Sequence, residues 1–288
     1  MSLRHRILIA GVGFLGRPLA TALAEQGHEV WGLSRSGQSL PGGVRPVIAD
    51  LTDARSLRDL PAPLDYAVFC AAPDEPDEAA YRALYLDGTR NLVRALREQT
   101  PGLRRFFCVS STGVYGQANG EWVNEDSVTE PRRYQGRIAL EAEGVARGLG
   151  SKTTILRCGG IYGPGRSRLI RRAWAGELSY LRSPEVYTNR IHYEDASRIV
   201  AHLMGLEAPA DLYLAVDKHP ASRSEVFCWL AGQLGAPAPK IVEAENRDCC
   251  GFDTNKRCSN ERLLSTGYKF KYSTYREGYK ELIGCQAP

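Results

Sequence analysis

The chain has 288 residues, enough for one large domain or a domain with a smaller lobe, and its 43% hydrophobic and 24% charged content is ordinary for a globular protein. A net charge of +4 is too small to argue for nucleic-acid binding, and no apolar run reaches the roughly 18 residues needed to cross a bilayer. The N-terminal run MSLRHRILIAGVG leads directly into a glycine turn, so we interpret it as a buried strand and not as a signal peptide. We therefore expect a cytoplasmic protein with neither a nucleic-acid nor a membrane partner.

The first predicted unit is strand, glycine turn, helix and strand, in RILIAGVGFLGRPLATALAEQGHEVWGLSR. A GxGxxG motif between a strand and a helix, inside a unit of about 30 residues, is typical of dinucleotide binding. The first two glycines let the backbone approach a pyrophosphate, the third allows close helix packing, and the helix N-terminus supplies N–H donors. The predicted cofactor-binding residues of this turn are Gly11, Gly13, Phe14, Leu15 and Gly16.

The end of the second predicted strand bears on the choice of cofactor. About 20 residues after the glycine turn, NAD-binding proteins place an acidic residue against the ribose 2′-hydroxyl. This chain has Ser34-Arg35-Ser36 there, and an arginine would pair with the 2′-phosphate of NADP. We therefore predict NADP rather than NAD as the cofactor. The alternative is that Arg35 is an exposed loop residue without a ligand.

Strand and helix patterns continue to alternate. Strands are predicted in VRPVIADLTD, LDYAVFCAA, RRFFCVSS and KTTILRCGG, with an amphipathic helix in YRALYLDGTRNLVRALRE. This order predicts an α/β fold with a doubly wound parallel sheet of Rossmann type. Ligands bind such sheets beyond the carboxyl ends of the strands, where Gly11, Asp50, Ala71 and Ser111 fall.

The alternation weakens after Gly165. HYEDASRIVAHLMGL, SEVFCWLAGQLG and TYREGYKELIG have helical patterns, and ADLYLAV has a strand pattern. We predict a Rossmann domain at residues 1–160 and a smaller C-terminal substrate lobe at 161–288, with 188–216 returning to the sheet. The arginines of RSRLIRRA form either a solvated helix face or an anion site. Cys249, Cys250 and Cys258 have no CxxC spacing and no histidine nearby, so no metal site is predicted.

The motifs AGVGFLG, ADLTD, FCAAP, FFCVSSTGVYG, LRCGGIYGPGR and NRIHYEDASRIV together resemble the extended short-chain dehydrogenase/reductase family, which includes nucleotide-sugar epimerases and dehydratases. The resemblance runs from the glycine turn to the C-terminus and implies a small-molecule substrate, with a homodimer as a possible assembly. It also implies that Asp50 and Leu51 approach the adenine, that Ala71 and Ala72 pass close to the cofactor, and that Ser111 is the catalytic hydroxyl. The substrate-binding residues implied are Thr112, Tyr162, Arg166 and Arg190.

The predicted helix after Pro131 departs from the family pattern, which has tyrosine followed four residues later by lysine. Aligning Tyr134 with the tyrosine places Ile138 at the lysine, whereas aligning Arg137 with the lysine places Arg133 at the tyrosine. Tyr134 and Arg137 are three residues apart and share one face of a helix. An arginine is a permanent cation that can hold a ribose and assist a tyrosine, but it cannot relay a proton.

Two interpretations of the function follow. In the first, Ser111, Tyr134 and Arg137 are the catalytic residues of an NADP-dependent oxidoreductase or epimerase/dehydratase, which acts by hydride transfer on an anionic, nucleotide-sugar-like substrate. In the second, Arg137 only grips the ribose, Tyr134 is structural, and the protein is a catalytically silent NADP-binding sensor or regulator. We favour the enzyme, because the SSTGVYG hydroxyl segment is present as well as the cofactor turn.

Overall fold

The computed structural model describes residues 4–37, 40–75, 77–243 and 254–284. A seven-stranded sheet forms its centre. The strands of this sheet are β1 (Arg6–Ala10), β2 (Glu29–Ser34), β3 (Val44–Ile48), β4 (Tyr66–Phe69), β5 (Arg105–Ser111), β7 (Thr153–Cys158) and β12 (Leu212–Ala215). Their order across the sheet is β12-β7-β5-β4-β1-β2-β3.

The strand order reverses on either side of β1, which pairs in parallel with both β2 and β4. Strands β3 and β5 extend the sheet outward from β2 and β4, again in parallel. The predicted doubly wound parallel sheet is thus confirmed. Its central strands are buried on both faces, which explains why the runs ILIA and YAVF are continuously apolar instead of alternating.

The described residues also form α-helices. They are α1 (Gly16–Glu25), α2 (Glu78–Tyr81), α3 (Thr89–Gln99), α4 (Tyr134–Ala146), α5 (Arg168–Trp174), α6 (Tyr193–Met204), α7 (Arg223–Leu234), α8 (Glu261–Leu264) and α9 (Tyr275–Gly284). A π-helical stretch over Arg82–Gly88 joins α2 to α3, and short 3-10 helices occur at Ala54–Leu57, Thr112–Val114 and Arg147–Lys152. The predicted helix in YRALYLDGTRNLVRALRE is therefore present but is wound more loosely in its first half.

The chain divides into two compact units. The first contains residues 1–114, 133–157 and 196–213, and the second contains 115–132, 158–195 and 214–288. Residues 115–132, which the sequence division places in the first domain, belong to the second unit because β6 (Glu121–Val123) pairs with β15 (Lys256–Cys258). Residues 196–213 belong to the first unit, and β12 joins the central sheet.

The second unit is built from α5, α7 and α9 together with short strand pairs. Besides β6 with β15, these pairs are β8 (Gly160–Tyr162) with β11 (Arg190–His192), β9 (Ser179–Leu181) with β14 (Lys240–Val242), and β10 (Tyr187–Thr188) with β13 (Ala221–Ser222). Its apolar core includes Ile170, Val226, Leu230 and Leu282. The core of the first unit is a separate cluster that includes Leu8, which comes from the central sheet.

Candidate functional site

The three glycines after β1 form a turn that is tight at two positions and open at the third. Gly11 has a φ of +103°, and a Cβ atom there would lie 2.5 Å from backbone atoms of Ala71. A Cβ on Gly16 would lie 2.0 Å from the carbonyl oxygen of Gly11, so α1 packs on the turn only because Gly16 has no side chain. Gly13 is exposed, and its Cβ would meet no atom within 4 Å. The turn is therefore closed toward the protein and open at Gly13.

The remaining residues of the turn connect it to the protein interior. Phe14 is half-buried and Leu15 is buried with a relative exposure of 5%. The carbonyl oxygen of Leu15 accepts a hydrogen bond from the hydroxyl of Ser197 on α6, at 3.1 Å. This contact holds the start of α1 in place, where the first backbone N–H groups of the helix have no partner within the helix.

Residues implied to lie near the cofactor occupy the loops that follow β3 and β4. The Oδ1 atom of Asp50 accepts hydrogen bonds from the backbone N–H and the hydroxyl of Thr52, both at 2.8 Å. Leu51 is buried, and its carbonyl oxygen accepts a hydrogen bond from the side chain of Asn91 at 2.9 Å. Ala72 is exposed and follows Ala71, whose backbone meets Gly11. The structure thus places these residues with the glycine turn at the carboxyl edge of the sheet.

Arg35 follows β2 at the same edge and forms an ion pair with Asp74, which follows β4. The hydrogen bond to Asp74 and the charge of Asp74 raise the pKa of the Arg35 guanidinium, and the charge of Asp50 adds a smaller effect. Arg35 is exposed, and both interpretations of it, a ligand of the 2′-phosphate or a loop residue without a ligand, stay open. No motif of the sequence predicts a role for Asp74.

Ser111 is the last residue of β5 and is exposed. Its Oγ atom accepts a hydrogen bond from the backbone N–H of Gly113 at 3.0 Å. A hydroxyl that accepts from the backbone in this way is held in place and keeps its own hydrogen for donation to another group. Thr112, by contrast, is buried at the start of the following 3-10 helix.

Helix α4 begins at Tyr134 and packs against β5 and the 3-10 helix after it. Tyr134 is half-buried, Arg137 is exposed, and Ile138 is completely buried. The position four residues after Tyr134 thus lies in the core, where an unpaired lysine would be strongly disfavoured. Arg137 is the cation one turn from the tyrosine, as the comparison of the two alignments suggested. Whether the pair acts in catalysis stays a prediction.

Tyr134 contacts Tyr81 of α2, which in turn stacks on Tyr85 of the π-helical stretch. The ring of Tyr81 meets that of Tyr134 edge-on, with centroids 5.7 Å apart, and stacks on Tyr85 at 5.3 Å. Arg82, next to Tyr81, forms an ion pair with Glu141 on α4. These contacts fix the start of α4 against the π-helical stretch.

A buried ion pair lies beneath this region. Glu143 on α4 has no exposed surface and accepts two hydrogen bonds from Arg157 on β7, at 2.9 Å and 2.7 Å. The hydroxyl of Ser110 on β5 donates a third, at 2.6 Å, and Arg147 lies 3.5 Å from the same carboxylate. The network ties α4 to two strands of the sheet, one of which carries Ser111 in the next position.

The predicted substrate residues of the second unit have different environments. Arg166 is exposed in the loop before α5, whereas Arg190 is half-buried and donates a hydrogen bond to the hydroxyl of Thr188. Tyr162 is 4% exposed, stacks on Tyr279 with centroids 4.4 Å apart, and has no hydrogen-bond partner for its hydroxyl among the described residues. Burial raises its pKa above the usual range.

Asp217 is another buried polar residue of the second unit, 3% exposed. One carboxyl oxygen accepts a hydrogen bond from the backbone of His219 at 3.0 Å, and the other has no partner in the described part of the chain. Burial raises the pKa of Asp217 to about 7, and the charge of Arg190 opposes this shift. A carboxyl group of this kind loses its proton near neutral pH.

His192 and Tyr115 are two further side chains able to exchange a proton, and both are buried. His192 is 2% exposed and lies among aromatic rings, including that of Tyr272 at 3.9 Å between centroids. Neither ring nitrogen has a hydrogen-bond partner within the described ranges, and burial lowers the pKa of the imidazole. Tyr115 is completely buried in the second unit, where its hydroxyl donates to the carbonyl oxygen of Asn124 at 2.8 Å. Both environments argue for structural roles.

The sequence of this chain matches a known family model. Residues 7–209 match the model of the NAD dependent epimerase/dehydratase family, which is more than half of the chain. The protein belongs to this family. Membership confirms the resemblance inferred from the motifs and places the chain among NAD(P)-dependent enzymes.

Sequence matches to two relatives cover most of this chain. Protein YeeZ of Escherichia coli K12 is 28% identical over 280 residues, covering 93% of this chain and 96% of YeeZ. The 3-diazoavenalumate denitrifying reductase of a Streptomyces species is 28% identical and covers 83% of this chain and 84% of its own.

Solved structures share the fold of this chain. A structure from Methylobacillus flagellatus, named as an NAD-dependent epimerase/dehydratase, is 37% identical with a TM-score of 0.81, covering 98% of this chain and 99% of that one. The Bordetella bronchiseptica enzyme WbmG, solved in complex with NAD and UDP, is 20% identical with a TM-score of 0.81, over 98% and 94% of the two chains. The second comparison shows similarity of fold alone.

Two other expectations concern features that the structure covers only in part. In residues 4–37, 40–75, 77–243 and 254–284, no helix is long and apolar enough to cross a membrane, and no three metal-ligating side chains cluster together. Cys258 is buried in β15, while Cys249 and Cys250 lie outside the described residues.

Two ion pairs of the structure, Glu143 with Arg157 and Arg35 with Asp74, were not predicted from the sequence. Glu143 is a charged residue on the apolar face of helix α4, and Arg157 is a charged residue within the apolar run KTTILRCGG. A charged residue inside each of two buried segments indicates that the two are paired. Asp74 follows FCAAP directly, but nothing in the pattern connects it to Arg35, 39 residues earlier.

Proposed function

We propose that this protein is an NADP-dependent oxidoreductase or epimerase/dehydratase that acts by hydride transfer on an anionic, nucleotide-sugar-like substrate. The observation that carries the proposal is the glycine turn, which is closed at Gly11 and Gly16 and open at Gly13. The open side of Gly13 leaves room for a pyrophosphate to approach the backbone next to the N-terminus of α1. The residues present therefore fit a dinucleotide.

Each residue of the first unit has a proposed role in holding the cofactor. Gly11, Gly13 and Gly16 shape the turn, and the backbone at Phe14 and Leu15 offers N–H groups to the pyrophosphate. Arg35 pairs with the 2′-phosphate. The residues proposed to line the adenine and the rest of the cofactor are Asp50, Leu51, Ala71 and Ala72.

The chemistry divides between the cofactor and three side chains. A bound nicotinamide ring supplies or accepts the hydride. The hydroxyl of Ser111, held by the N–H of Gly113, donates a hydrogen bond to the oxygen of the reacting carbon. Tyr134 exchanges a proton with that oxygen, and Arg137, one turn further along α4, supplies a positive charge and grips the nicotinamide ribose. An arginine keeps its own proton, so the proton must pass to solvent by another path.

The anionic character of the substrate is inferred from the arginines of the second unit. Arg166 is exposed and Arg190 is half-buried and oriented by Thr188, and a guanidinium group suits the oxygen atoms of a phosphate. Thr112 and Tyr162 are further proposed substrate residues, although both are buried.

Cofactor choice is tested by removing the proposed phosphate ligand. Arg35→Ala is expected to weaken NADPH binding about ten- to a hundredfold, since a hydrogen-bonded charge pair contributes about 1.5–3 kcal/mol, and to leave NADH binding nearly unchanged. Calorimetric titration of both cofactors measures the difference. Arg45→Ala is the matched control, because Arg45 is also exposed and paired with a carboxylate but lies in β3. Tighter binding of NADH than of NADPH by the wild-type protein would overturn the assignment.

Gly13→Ala is expected to affect cofactor binding, whereas Gly16→Ala is expected to affect the stability of the fold. Gly13→Ala should change the free energy of unfolding by about 0.5 kcal/mol or less, because its Cβ meets nothing, yet weaken NADPH binding about tenfold or more. Gly16→Ala should lower the free energy of unfolding by about 1–3 kcal/mol through overpacking. Thermal unfolding and titration of the two variants check this. A destabilised Gly13→Ala variant with normal affinity would show that the turn does not hold the cofactor.

The class of reaction is tested by turnover. The purified protein with NADPH or NADP is incubated with a panel of sugar nucleotides and uncharged carbonyl compounds, and nicotinamide absorbance and product isomers are followed. We expect turnover of a phosphate-bearing member. Turnover restricted to uncharged carbonyl compounds would overturn the substrate class. An absence of turnover, combined with a change in a partner's behaviour when NADPH binds, would establish the regulatory interpretation.

A further inference from the structure

The ion pair between Arg35 and Asp74 crosses the carboxyl end of β1. Arg35 follows β2 and Asp74 follows β4, and these strands lie on opposite sides of β1. Neighbouring strands are about 4.8 Å apart, so the two strand ends are separated by roughly 10 Å, a distance that a long arginine side chain spans. The pair therefore lies next to the start of the glycine turn at Gly11, whose tight contact is with Ala71 from the same loop as Asp74.

The charges around Arg35 do not favour a phosphate without rearrangement. The guanidinium of Arg35 is already paired with the carboxylate of Asp74, and the charge of Asp50 also acts on the guanidinium. A phosphate monoester carries a charge of about −1.5 to −2 at neutral pH, so a 2′-phosphate at Arg35 would displace one carboxylate and experience the field of two. In the pair, Arg35 is 67% exposed and Asp74 is 69% exposed, and pairs this exposed are weak enough to open.

We propose that Asp74 competes with the 2′-phosphate of the cofactor for the guanidinium of Arg35 and is a specificity-determining residue that limits the preference for NADP over NAD. This inference rests on the cofactor site proposed above. Asp74 reduces NADPH affinity by holding Arg35 in the free protein and by repelling the phosphate in the complex. NADH presents a neutral hydroxyl at the same position, so its affinity is insensitive to the competition.

The test is the charge-removing variant Asp74→Asn, which keeps the size of the side chain. We expect it to raise NADPH affinity about two- to tenfold at low ionic strength, with NADH affinity changed less than about twofold. The gain should shrink in roughly 0.5 M salt, since both charges are exposed. Glu75→Gln is the matched control, because it removes the same charge from the next, exposed residue of the same loop.

The arginine variant separates this inference from the cofactor proposal. In the Arg35→Ala background, Asp74→Asn should raise NADPH affinity no more than the Glu75→Gln control does, because the competition needs both Arg35 and Asp74. If Arg35→Ala weakens NADPH binding while Asp74→Asn has no effect, the competition is wrong and the cofactor proposal stands. If Arg35→Ala leaves NADPH binding unchanged, both are wrong. If Asp74→Asn weakens NADH binding, Asp74 is instead an acceptor for the ribose 2′-hydroxyl, which also overturns the inference.

Discussion

Replacing Arg157 with methionine is expected to lower the free energy of unfolding by about 3–5 kcal/mol, the usual cost of leaving one partner of a buried ion pair without the other. Arg157 is 4% exposed, and Glu143 is completely buried and accepts two of its hydrogen bonds. After the substitution, Ser110 and the more distant Arg147 would remain beside the carboxylate. Unfolding in urea, followed by circular dichroism, measures the effect.

Two comparisons make the stability result specific. The double variant with Glu143→Leu and Arg157→Met should recover most of the loss, because it removes the stranded charge as well as the pair. Arg82→Met breaks the exposed pair with Glu141 on the same helix and should leave the urea midpoint nearly unchanged. Equal losses in the Arg82 and Arg157 variants would show that the effect does not come from burial.

Tyr134→Phe is expected to reduce kcat by about 10²–10⁴-fold, the contribution of a positioned proton donor, on whichever substrate the wild-type protein turns over. Cofactor affinity should change less than about twofold, because the phenyl ring preserves the packing against Tyr81. Ser111→Ala should lower kcat by about a hundredfold through loss of one oriented donor. Arg137→Ala should weaken both turnover and cofactor binding.

The control for the tyrosine is its neighbour. Tyr81→Phe removes a hydroxyl from a ring that touches Tyr134 edge-on, so it tests whether any tyrosine in the cluster is equally sensitive. We expect it to retain most of the activity. Full activity in Tyr134→Phe would mean that the acid/base residue has been wrongly assigned. His192 and Tyr115 are poor replacements for it, because both side chains are buried.

Sequence patterns predicted the central sheet well because each pattern depends on residues that are close together in the sequence. Strand β1 lies in the run RILIA, where a strand is predicted, and α4 lies after Pro131, where a helix is predicted. Burial on both faces produces continuous apolar runs, and a glycine motif between a strand and a helix has few other uses. The exchange of residues 115–132 into the second unit was not predicted, because it depends on the pairing of β6 with β15, more than 130 residues apart in the chain.

The sequence by itself determined the parallel α/β fold, the glycine turn and the family, since each depends on residue types at fixed short spacings. Only the tertiary structure decided which charges act together: Arg35 with Asp74 and Asp50, and Glu143 with Arg157 and Ser110. It also decided that Ile138 faces the core while Arg137 faces outward. The physical reason is that charge interactions depend on distance and burial, which are set by how strands and helices pack and not by their order in the chain.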